Sequence, residues 1–255
     1  MKWLKSRKMT TTARPDSEPG ERIDALGIRD WQIIQREDEF RFSLDAVLLA
    51  HFASVRSGAR VVDLGTGSGA VALFVLSRGA GSVSGLDNNP RLAAMATRSA
   101  DLNGLAGQLS FVCGDVKQID SYYPVGCCDL VTTNPPYRTL SAGRLNPSAT
   151  VAQARHETTA GLLDFVRAAG FLLRNRGRFA MIHLPERLTD ICVELRTAGL
   201  EPKRLRLVHP FSDRPAKMLM VEAVKGAKPG LIVLPPLVVY QAPKQYSREI
   251  LAYYK

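Results

Sequence analysis

The residues best suited to do chemistry in this sequence are four in a row: Asn134, Pro135, Pro136 and Tyr137. They follow a short apolar run, residues 129–133, that predicts a strand. The prolines remove two backbone donors and hold the chain extended, which leaves carbonyl oxygens and the Asn134 side chain as fixed acceptors beside an aromatic ring. Such a site suits a planar group that carries an NH2, such as an adenine or a primary amide. The alternative is a turn that merely ends a strand.

A second motif lies upstream, where a β-branched run leads into a glycine-rich turn over residues 63–69 and then into an apolar helical pattern. A strand, loop and helix of this kind open a doubly wound α/β unit, with an anionic ligand at the helix N-terminus. Gly65, Gly67 and Ala70 also fit a loose dinucleotide fingerprint. Asp63 favours S-adenosylmethionine (SAM) instead, because an acid can hold its ammonium group and nicotinamide dinucleotides have none.

Two further acids follow predicted strands. Asp87 ends the second strand, about 20 residues after the glycine loop, where an acid takes ribose hydroxyls. Asp115 follows the third strand and could accept from the adenine amino group of the cofactor. Either acid alone could instead be a helix N-cap. With Asp63 and Asn134, they put polar groups at four successive strand ends, which is where ligands bind in open α/β sheets.

The two motifs together resemble class I SAM-dependent methyltransferases that methylate amino groups. Within that group the chain resembles the bacterial tRNA1(Val) adenine-N6-methyltransferase family from about Arg29 to the C-terminus. Residues 40–50 and 246–251 carry this narrower resemblance. It implies an α/β fold, a Rossmann-like seven-stranded sheet with helices on both faces and an antiparallel last strand pair.

The resemblance also implies methyl transfer from SAM to the exocyclic N6 of an adenine in tRNA, beside the anticodon of a valine tRNA. Asn134, Pro135 and Tyr137 are then catalytic: the Asn134 side-chain oxygen and the Pro135 carbonyl accept the N6 hydrogens, and Tyr137 stacks on the base. The expected substrate-binding residues are Pro136, Arg138 and Phe42, and no metal is expected. The residues expected to bind SAM are Asp63, Gly65, Gly67, Gly69, Asp87, Asn88, Asp115, Val116 and Asn134.

Other functions stay open on the sequence alone. A protein glutamine-N5 methyltransferase would use the same four residues, but such enzymes usually carry a helical N-terminal domain, whereas about 42 residues precede the first predicted helix here. A DNA methyltransferase is a further alternative, although no target-recognition domain is visible. The non-enzymatic alternative is an RNA-binding protein that retains a methyltransferase fold.

Several elements must position these residues. Ser43 predicts the N-cap of a helix to about Val55, and Asn89 or Pro90 predicts the start of another. An apolar tail over residues 231–255 is expected to pack back on the domain. After an amphipathic helix beginning near residue 162, the pattern predicts a strand over 177–183, a helix from Pro185, and an antiparallel pair over 204–208 and 218–223.

Composition predicts one domain and an anionic partner. With 255 residues and 45% apolar content, residues 23–255 are expected to form a single methyltransferase domain. Residues 1–22 hold six Lys and Arg against three acids and predict a disordered basic arm. The net charge of +10 favours a polyanion such as RNA. Further basic residues lie between Arg138 and Arg155 and at 203–206.

The chain is expected to be cytoplasmic. It begins without the apolar run of a signal peptide, and no stretch is long enough to span a bilayer. Cys113 and Cys128 fall in predicted strands and are expected to be buried, reduced thiols.

Overall fold

The computed structural model of the chain describes residues 18–36, 43–137 and 160–254. It begins with an antiparallel hairpin of β1 (Glu21–Ala25) and β2 (Gln32–Arg36). Residues 1–17 of the predicted arm lie outside the described residues, and the boundary predicted at residue 22 falls inside β1. The buried Glu21 carboxylate pairs with Arg98, at 2.5 and 2.8 Å, and anchors this strand.

Helices and strands then alternate along the chain. In order they are α1 (Leu44–Phe52), β3 (Arg60–Leu64), α2 (Ala70–Ser77), β4 (Ser82–Asp87), α3 (Pro90–Leu102), β5 (Leu109–Cys113), a 3-10 helix (Val116–Ser121), β6 (Cys128–Thr133), α4 (Leu162–Leu172), β7 (Leu173–His183), a second 3-10 helix (Pro185–Arg187), α5 (Leu188–Thr197), β8 (Leu200–His209), β9 (Met218–Lys225), β10 (Ile232–Val233), β11 (Leu237–Val238), β12 (Tyr240–Ala242), β13 (Gln245–Tyr246) and α6 (Arg248–Ala252).

The central sheet confirms the predicted fold. Seven strands lie in the order β8-β9-β7-β6-β3-β4-β5, and β9 runs antiparallel to both of its neighbours. The short strands β10 and β11 each pair in parallel with β8 and extend the sheet to nine strands. They cover the backbone of β8 at what would otherwise be an open edge.

Helices cover both faces of the sheet, as predicted. Successive side chains of β3 point to opposite faces, so Val61 belongs to one core cluster and Val62 to the other. The first cluster joins α1, α2 and α3 to the sheet, and the second joins α4 and α5. Phe74 and Phe179 are among the largest fully buried side chains. The two cores together hold the strand ends in fixed positions.

Local capping confirms two predicted helix starts. The Ser43 hydroxyl accepts a hydrogen bond from the Asp45 N–H at the start of α1. The Asn89 side chain accepts from the first turn of α3, and Pro90 takes the first helical position, where its missing N–H costs nothing.

The predicted basic cluster on β8 is engaged inside the protein. The Arg206 guanidinium forms a two-pronged pair with Glu249 at 2.6 and 2.9 Å. Arg204 donates to the Ser54 hydroxyl at 2.8 Å, and Lys203 donates to the Lys228 carbonyl at 3.1 Å. Arg206 thus ties the tail to β8, and Arg204 ties the end of α1 to it, so both guanidinium groups already have partners within the protein.

The C-terminal tail packs on the domain, as predicted. Leu237, Val239 and Ile250 are buried in the same core cluster as α1 and α2. The Tyr253 ring stacks on His51 of α1, with centroids 4.2 Å apart. Burial lowers the pKa of His51 to about 4, so the stacked imidazole is neutral at physiological pH.

The two cysteines expected to be buried differ. Cys128 is buried, and its thiol lies 3.3 Å from the Leu172 carbonyl oxygen. Cys113 is exposed, so that prediction is wrong. The reason is sheet order: Cys113 is the last residue of β5, and β5 is an edge strand.

Candidate active site

The carboxyl ends of β3, β4, β5 and β6 meet at one edge of the sheet, called here the carboxyl edge. Leu64 pairs with Leu86 on one side and with Thr133 on the other. Asp87 pairs in turn with Cys113. Because these strands are parallel and in register, the four predicted motifs that follow them are brought together at the carboxyl edge.

The glycine loop turns tightly over the end of β4. The N–H groups of Gly65 and Thr66 both donate to the Leu86 carbonyl, at 2.8 and 3.0 Å. Gly67 has a φ of 57°, a left-handed conformation that favours glycine, and a Cβ there would meet no atom within 4 Å. The loop therefore leaves open space above its backbone, beside the N-terminus of α2. This space fits the approach of an anionic or zwitterionic ligand.

Asp63 lies beneath the loop and not at its surface. Its side chain is buried, and the hydroxyls of Thr66 and Thr132 each donate to one carboxylate oxygen at 2.7 Å. Burial raises the pKa of Asp63 to about 7, opposed by the two threonine hydrogen bonds and assisted by the charge of Asp87. The contacts of Asp63 within the protein thus join the loop to β6, and its expected role toward the SAM ammonium stays a prediction.

Asp63 should make the protein less stable as the pH rises. The carboxyl ionises near 3.8 in the unfolded chain but near 7 in the folded protein. Between these values the folded state binds more protons, so the free energy of unfolding falls with rising pH. The asparagine of an Asp63→Asn variant does not titrate, so wild type loses stability relative to this variant as the pH rises. The melting temperature of the variant minus that of wild type, measured without SAM, should therefore increase between pH 3.8 and about 7. A difference that does not change with pH would contradict this.

The other predicted cofactor residues occupy the neighbouring strand ends. The Asp87 carboxylate accepts from the Gly67 N–H at 2.8 Å and from a backbone N–H two residues beyond itself at 2.9 Å. Asp115 caps the first 3-10 helix by accepting from a backbone N–H at 2.9 Å. Asn88 is exposed and Val116 is buried. Asp87 therefore stabilises the glycine loop through a hydrogen bond. The N-cap alternative for Asp115 is confirmed, and the predicted contact of Asp115 with the cofactor stays a prediction.

The Asn-Pro-Pro-Tyr segment lies directly after β6. Asn134 and Tyr137 are partly exposed, Pro135 is buried and Pro136 is exposed. The Tyr137 hydroxyl lies 2.5 Å from Asn134 Oδ1 and 3.2 Å from Asp45 Oδ2. The first turn of α1 therefore reaches the motif, in line with the predicted importance of residues 40–50.

His183 completes the surroundings of Tyr137. Its ring meets the Tyr137 ring edge-on, with centroids 5.4 Å apart. His183 is buried, its Nδ1 accepts from the Leu184 N–H at 2.8 Å, and burial lowers its pKa. The sequence analysis missed its contact with Tyr137. The signal was the strand order, because β7 lies beside β6 and ends at the carboxyl edge.

Gly85 shows how closely β4 packs under the loop. A Cβ at this position would lie 2.5 Å from the Phe111 ring and 2.7 Å from the Thr66 side chain. Gly85→Ala should therefore destabilise the protein by about 1–3 kcal/mol through overpacking. Urea unfolding measures this, with Gly107→Ala as control, since a Cβ at Gly107 meets no atom within 4 Å. Equal losses in both variants would argue against the steric explanation.

Two predicted substrate residues, Phe42 and Arg138, lie outside the described residues. Within the described ranges, no group of three or more His, Cys, Asp and Glu side chains could hold a metal ion. No helix in this part of the chain combines the length and apolar character needed to cross a membrane.

Comparison with known proteins agrees with this geometry. A family model described as a methyltransferase domain matches residues 61–156, which contain both motifs. A tRNA1(Val) (adenine(37)-N6)-methyltransferase of Parabacteroides distasonis is 31% identical over 193 residues, which cover 72% of this chain and 78% of the relative. The chain belongs to this family. It is a methyltransferase, and SAM is its methyl donor.

Solved structures of methyltransferases share the fold of this family member. A predicted O-methyltransferase from Agrobacterium tumefaciens superimposes with a TM-score of 0.67 at 22% identity, over 82% of this chain and 95% of that one. A geranyl diphosphate C-methyltransferase from Streptomyces coelicolor, solved with S-adenosyl-L-homocysteine, gives 0.54 at 12% identity, over 71% and 79%. At these identities the likeness shows the fold alone.

Proposed function

We propose that this family member transfers a methyl group from SAM to the exocyclic N6 of an adenine in tRNA, beside the anticodon of a valine tRNA. The observation that carries the proposal is the placement of Asn134 Oδ1, next to Pro135 and Tyr137, at the same edge as the glycine loop. The name of the Parabacteroides distasonis relative supports the choice of nucleobase and RNA.

The acceptors at Asn134 and Pro135 compensate for the weak nucleophilicity of the N6 amine. The N6 amine of adenine is a poor nucleophile because its lone pair is delocalised into the ring. The Asn134 side-chain oxygen and the Pro135 carbonyl accept the two N6 hydrogens, orient the nitrogen, and stabilise the positive charge that develops on it. SAM supplies a methyl group activated by its sulfonium. Neither a metal nor a covalent nucleophile is needed for this reaction.

Tyr137 and Pro136 hold the base. The partly exposed Tyr137 ring offers an aromatic face for stacking, which is worth about 1–3 kcal/mol per base. The exposed Pro136 ring extends the apolar surface beside it. Bases in an anticodon loop are already splayed, so such a pocket receives them at low cost. We assign Phe42 and Arg138 to substrate binding from their places in the sequence.

The carboxyl edge supplies the binding groups for SAM. The glycine loop and the N-terminus of α2 suit the carboxylate, Asp63 supports the ammonium group, and Asp87 suits the ribose hydroxyls. We assign Asp115 to the adenine amino group of SAM. The full set assigned to SAM is Asp63, Gly65, Gly67, Gly69, Asp87, Asn88, Asp115, Val116 and Asn134.

The partner class follows from charge as well as from the site. A net charge of +10 favours association with a polyanion through release of counterions. At 203–206, the charges of Arg204 and Arg206 are already paired with the carboxylates of Glu222 and Glu249. We therefore expect RNA contacts from other basic residues, including Arg138 and the segment that follows it.

Transfer of labelled methyl groups tests the proposal. The purified protein and radiolabelled SAM are incubated with one acceptor sample at a time. The samples are total tRNA lacking the modification, 16S and 23S rRNA, and a protein extract. Nucleoside mass spectrometry should find N6-methyladenosine in tRNA, and a valine tRNA with guanine replacing the adenine beside the anticodon should take up no label. Label as N5-methylglutamine in protein would contradict the RNA assignment. No label in any sample would favour a non-catalytic RNA-binding protein.

A further inference from the structure

The Tyr137 hydroxyl lies between two acceptors on different elements. Asn134 Oδ1, in the loop after β6, is 2.5 Å from the hydroxyl oxygen, and Asp45 Oδ2, in the first turn of α1, is 3.2 Å from it. A phenol carries one proton and makes one strong donated hydrogen bond at a time. The two acceptors therefore compete for the same proton.

This competition bears on the proposed adenine-N6 reaction. While the phenol donates to Asn134 Oδ1, it occupies one lone pair of that oxygen and weakens it as an acceptor for an N6 hydrogen. Hydrogen bonds to a carboxylate are about twice as strong as those to a neutral amide. Asp45 is therefore the partner that can draw the phenol away from Asn134.

We propose that Asp45 is a positioning residue, which accepts the Tyr137 hydroxyl when the base enters and so leaves the Asn134 oxygen to accept an N6 hydrogen. This inference rests on the proposed function and adds a residue to its machinery. The exchange involves no proton transfer. The phenol keeps its proton throughout, and only the acceptor of its hydrogen bond changes. The ring is held at its hydroxyl end in the position where it stacks on the base.

The surroundings suit such a hydroxyl anchor. Asp45 is fixed at the start of α1, where its N–H donates to the Ser43 cap, and the buried face of the helix holds this turn in place. His183 contacts the Tyr137 ring edge-on from β7, with a neutral imidazole. Burial and the nearby Asp45 carboxylate hold the pKa of Tyr137 well above its usual range, so the hydroxyl remains a donor.

A double-mutant cycle tests the inference with Asp45→Ala, Tyr137→Phe and the combined variant. Asp45→Ala should lower kcat for methyl transfer to adenine about tenfold, because the phenol then keeps its hydrogen bond to Asn134 Oδ1. Tyr137→Phe leaves that oxygen free and loses only the anchor of the ring, so it should lower kcat less. The combined variant should be no slower than the slower single variant, since both act through one contact. The Kd for SAM should stay within about twofold of wild type throughout.

Two further variants serve as controls for the double-mutant cycle. Asp45→Asn keeps an oxygen acceptor at the same place and should retain more activity than Asp45→Ala. Asp190→Ala removes an exposed first-turn acid from α5, whose carboxylate pairs with Arg187, and should leave kcat unchanged. Losses that add in the combined variant, so that it is slower than Asp45→Ala alone, would overturn the inference. So would an Asp45→Ala variant with a raised SAM Kd and an unchanged kcat, because Asp45 would then act on the cofactor.

Thermal unfolding of the same four proteins, without SAM or substrate, separates this inference from the proposed function. The two substitutions should lower the melting temperature less than additively, because the Tyr137 hydroxyl already contacts Asp45 Oδ2, at 3.2 Å, without substrate. Additive changes would overturn the inference whatever the substrate is. If wild type methylates glutamine and not adenine, the proposed function fails, and the kinetic cycle is run on that amide, where additive losses again overturn the inference.

Discussion

Replacing Asn134 with alanine should lower the rate of methyl transfer about 100- to 1,000-fold, which is the usual cost of removing one preorganised group that stabilises developing charge. The substitution removes the side-chain oxygen that lies 2.5 Å from the Tyr137 hydroxyl after β6. Single-turnover transfer from labelled SAM measures the chemical step directly. RNA affinity should change little, because the basic residues remain, and the assay is run at saturating SAM because Asn134 also belongs to the residues assigned to SAM.

A matched control removes an asparagine side chain that lies far from the carboxyl edge. Asn175 is exposed near the start of β7, at the end of the strand away from the carboxyl edge, so Asn175→Ala should transfer at the wild-type rate. Transfer by Asn134→Ala at the wild-type rate would show that the reaction does not depend on this acceptor. A joint loss of transfer and RNA binding would show that Asn134 serves binding and not the chemical step.

Replacing Glu222 with alanine should lower the free energy of unfolding by about 3–5 kcal/mol, the cost of breaking a buried ion pair. This carboxylate lies in β9 with no exposed side-chain surface, and it pairs with Arg178 at 2.7 Å and Arg204 at 3.4 Å. The Ser54 N–H and hydroxyl also donate to it, at 2.7 and 2.9 Å. Its removal leaves two guanidinium groups without their shared counter-charge and releases the end of α1.

Urea unfolding measures this loss against a half-exposed pair that joins α5 to β8. Arg196 and Glu201 lie 3.3 Å apart, with the Arg196 side chain 65% exposed, so Glu201→Ala should cost about 1 kcal/mol or less. Glu222→Gln keeps the shape and one oxygen acceptor, and we expect it to fall between the two. If Glu222→Ala costs no more than Glu201→Ala, the network does not hold α1 to the sheet.

The features that the sequence predicted well depend on neighbours along the chain. The caps at Ser43 and Asn89 satisfy N–H groups two or three residues away, and the glycine turn needs backbone angles that its own residues permit. The strand order followed from the family resemblance. For these reasons the carboxyl edge and its four motifs could be located before the fold was known.

The features that the sequence did not predict depend on partners far away in it. Asp45 and Tyr137 are 92 residues apart, and Ser54 and Glu222 are 168 apart. The charges at 203–206 look like a surface patch along the chain, but Arg206 meets its counter-charge only when α6 folds back onto β8. Cys113 was misjudged in the same way, because exposure of a strand end depends on which strands lie beside it.

The stacking of His51 on Tyr253 has a consequence for how the protein is made on the ribosome. These partners lie 202 residues apart (253 − 51), and a Cβ at Gly27 would lie 3.2 Å from the Tyr254 ring, so both α1 and the β1–β2 hairpin pack against residues made much later. Synthesis runs from the N-terminus, so α1 lacks this support until residue 253 has been made and has left the ribosome. The helix that carries Asp45 is therefore held by its final contacts only after all thirteen strands in the described part of the chain have been synthesised.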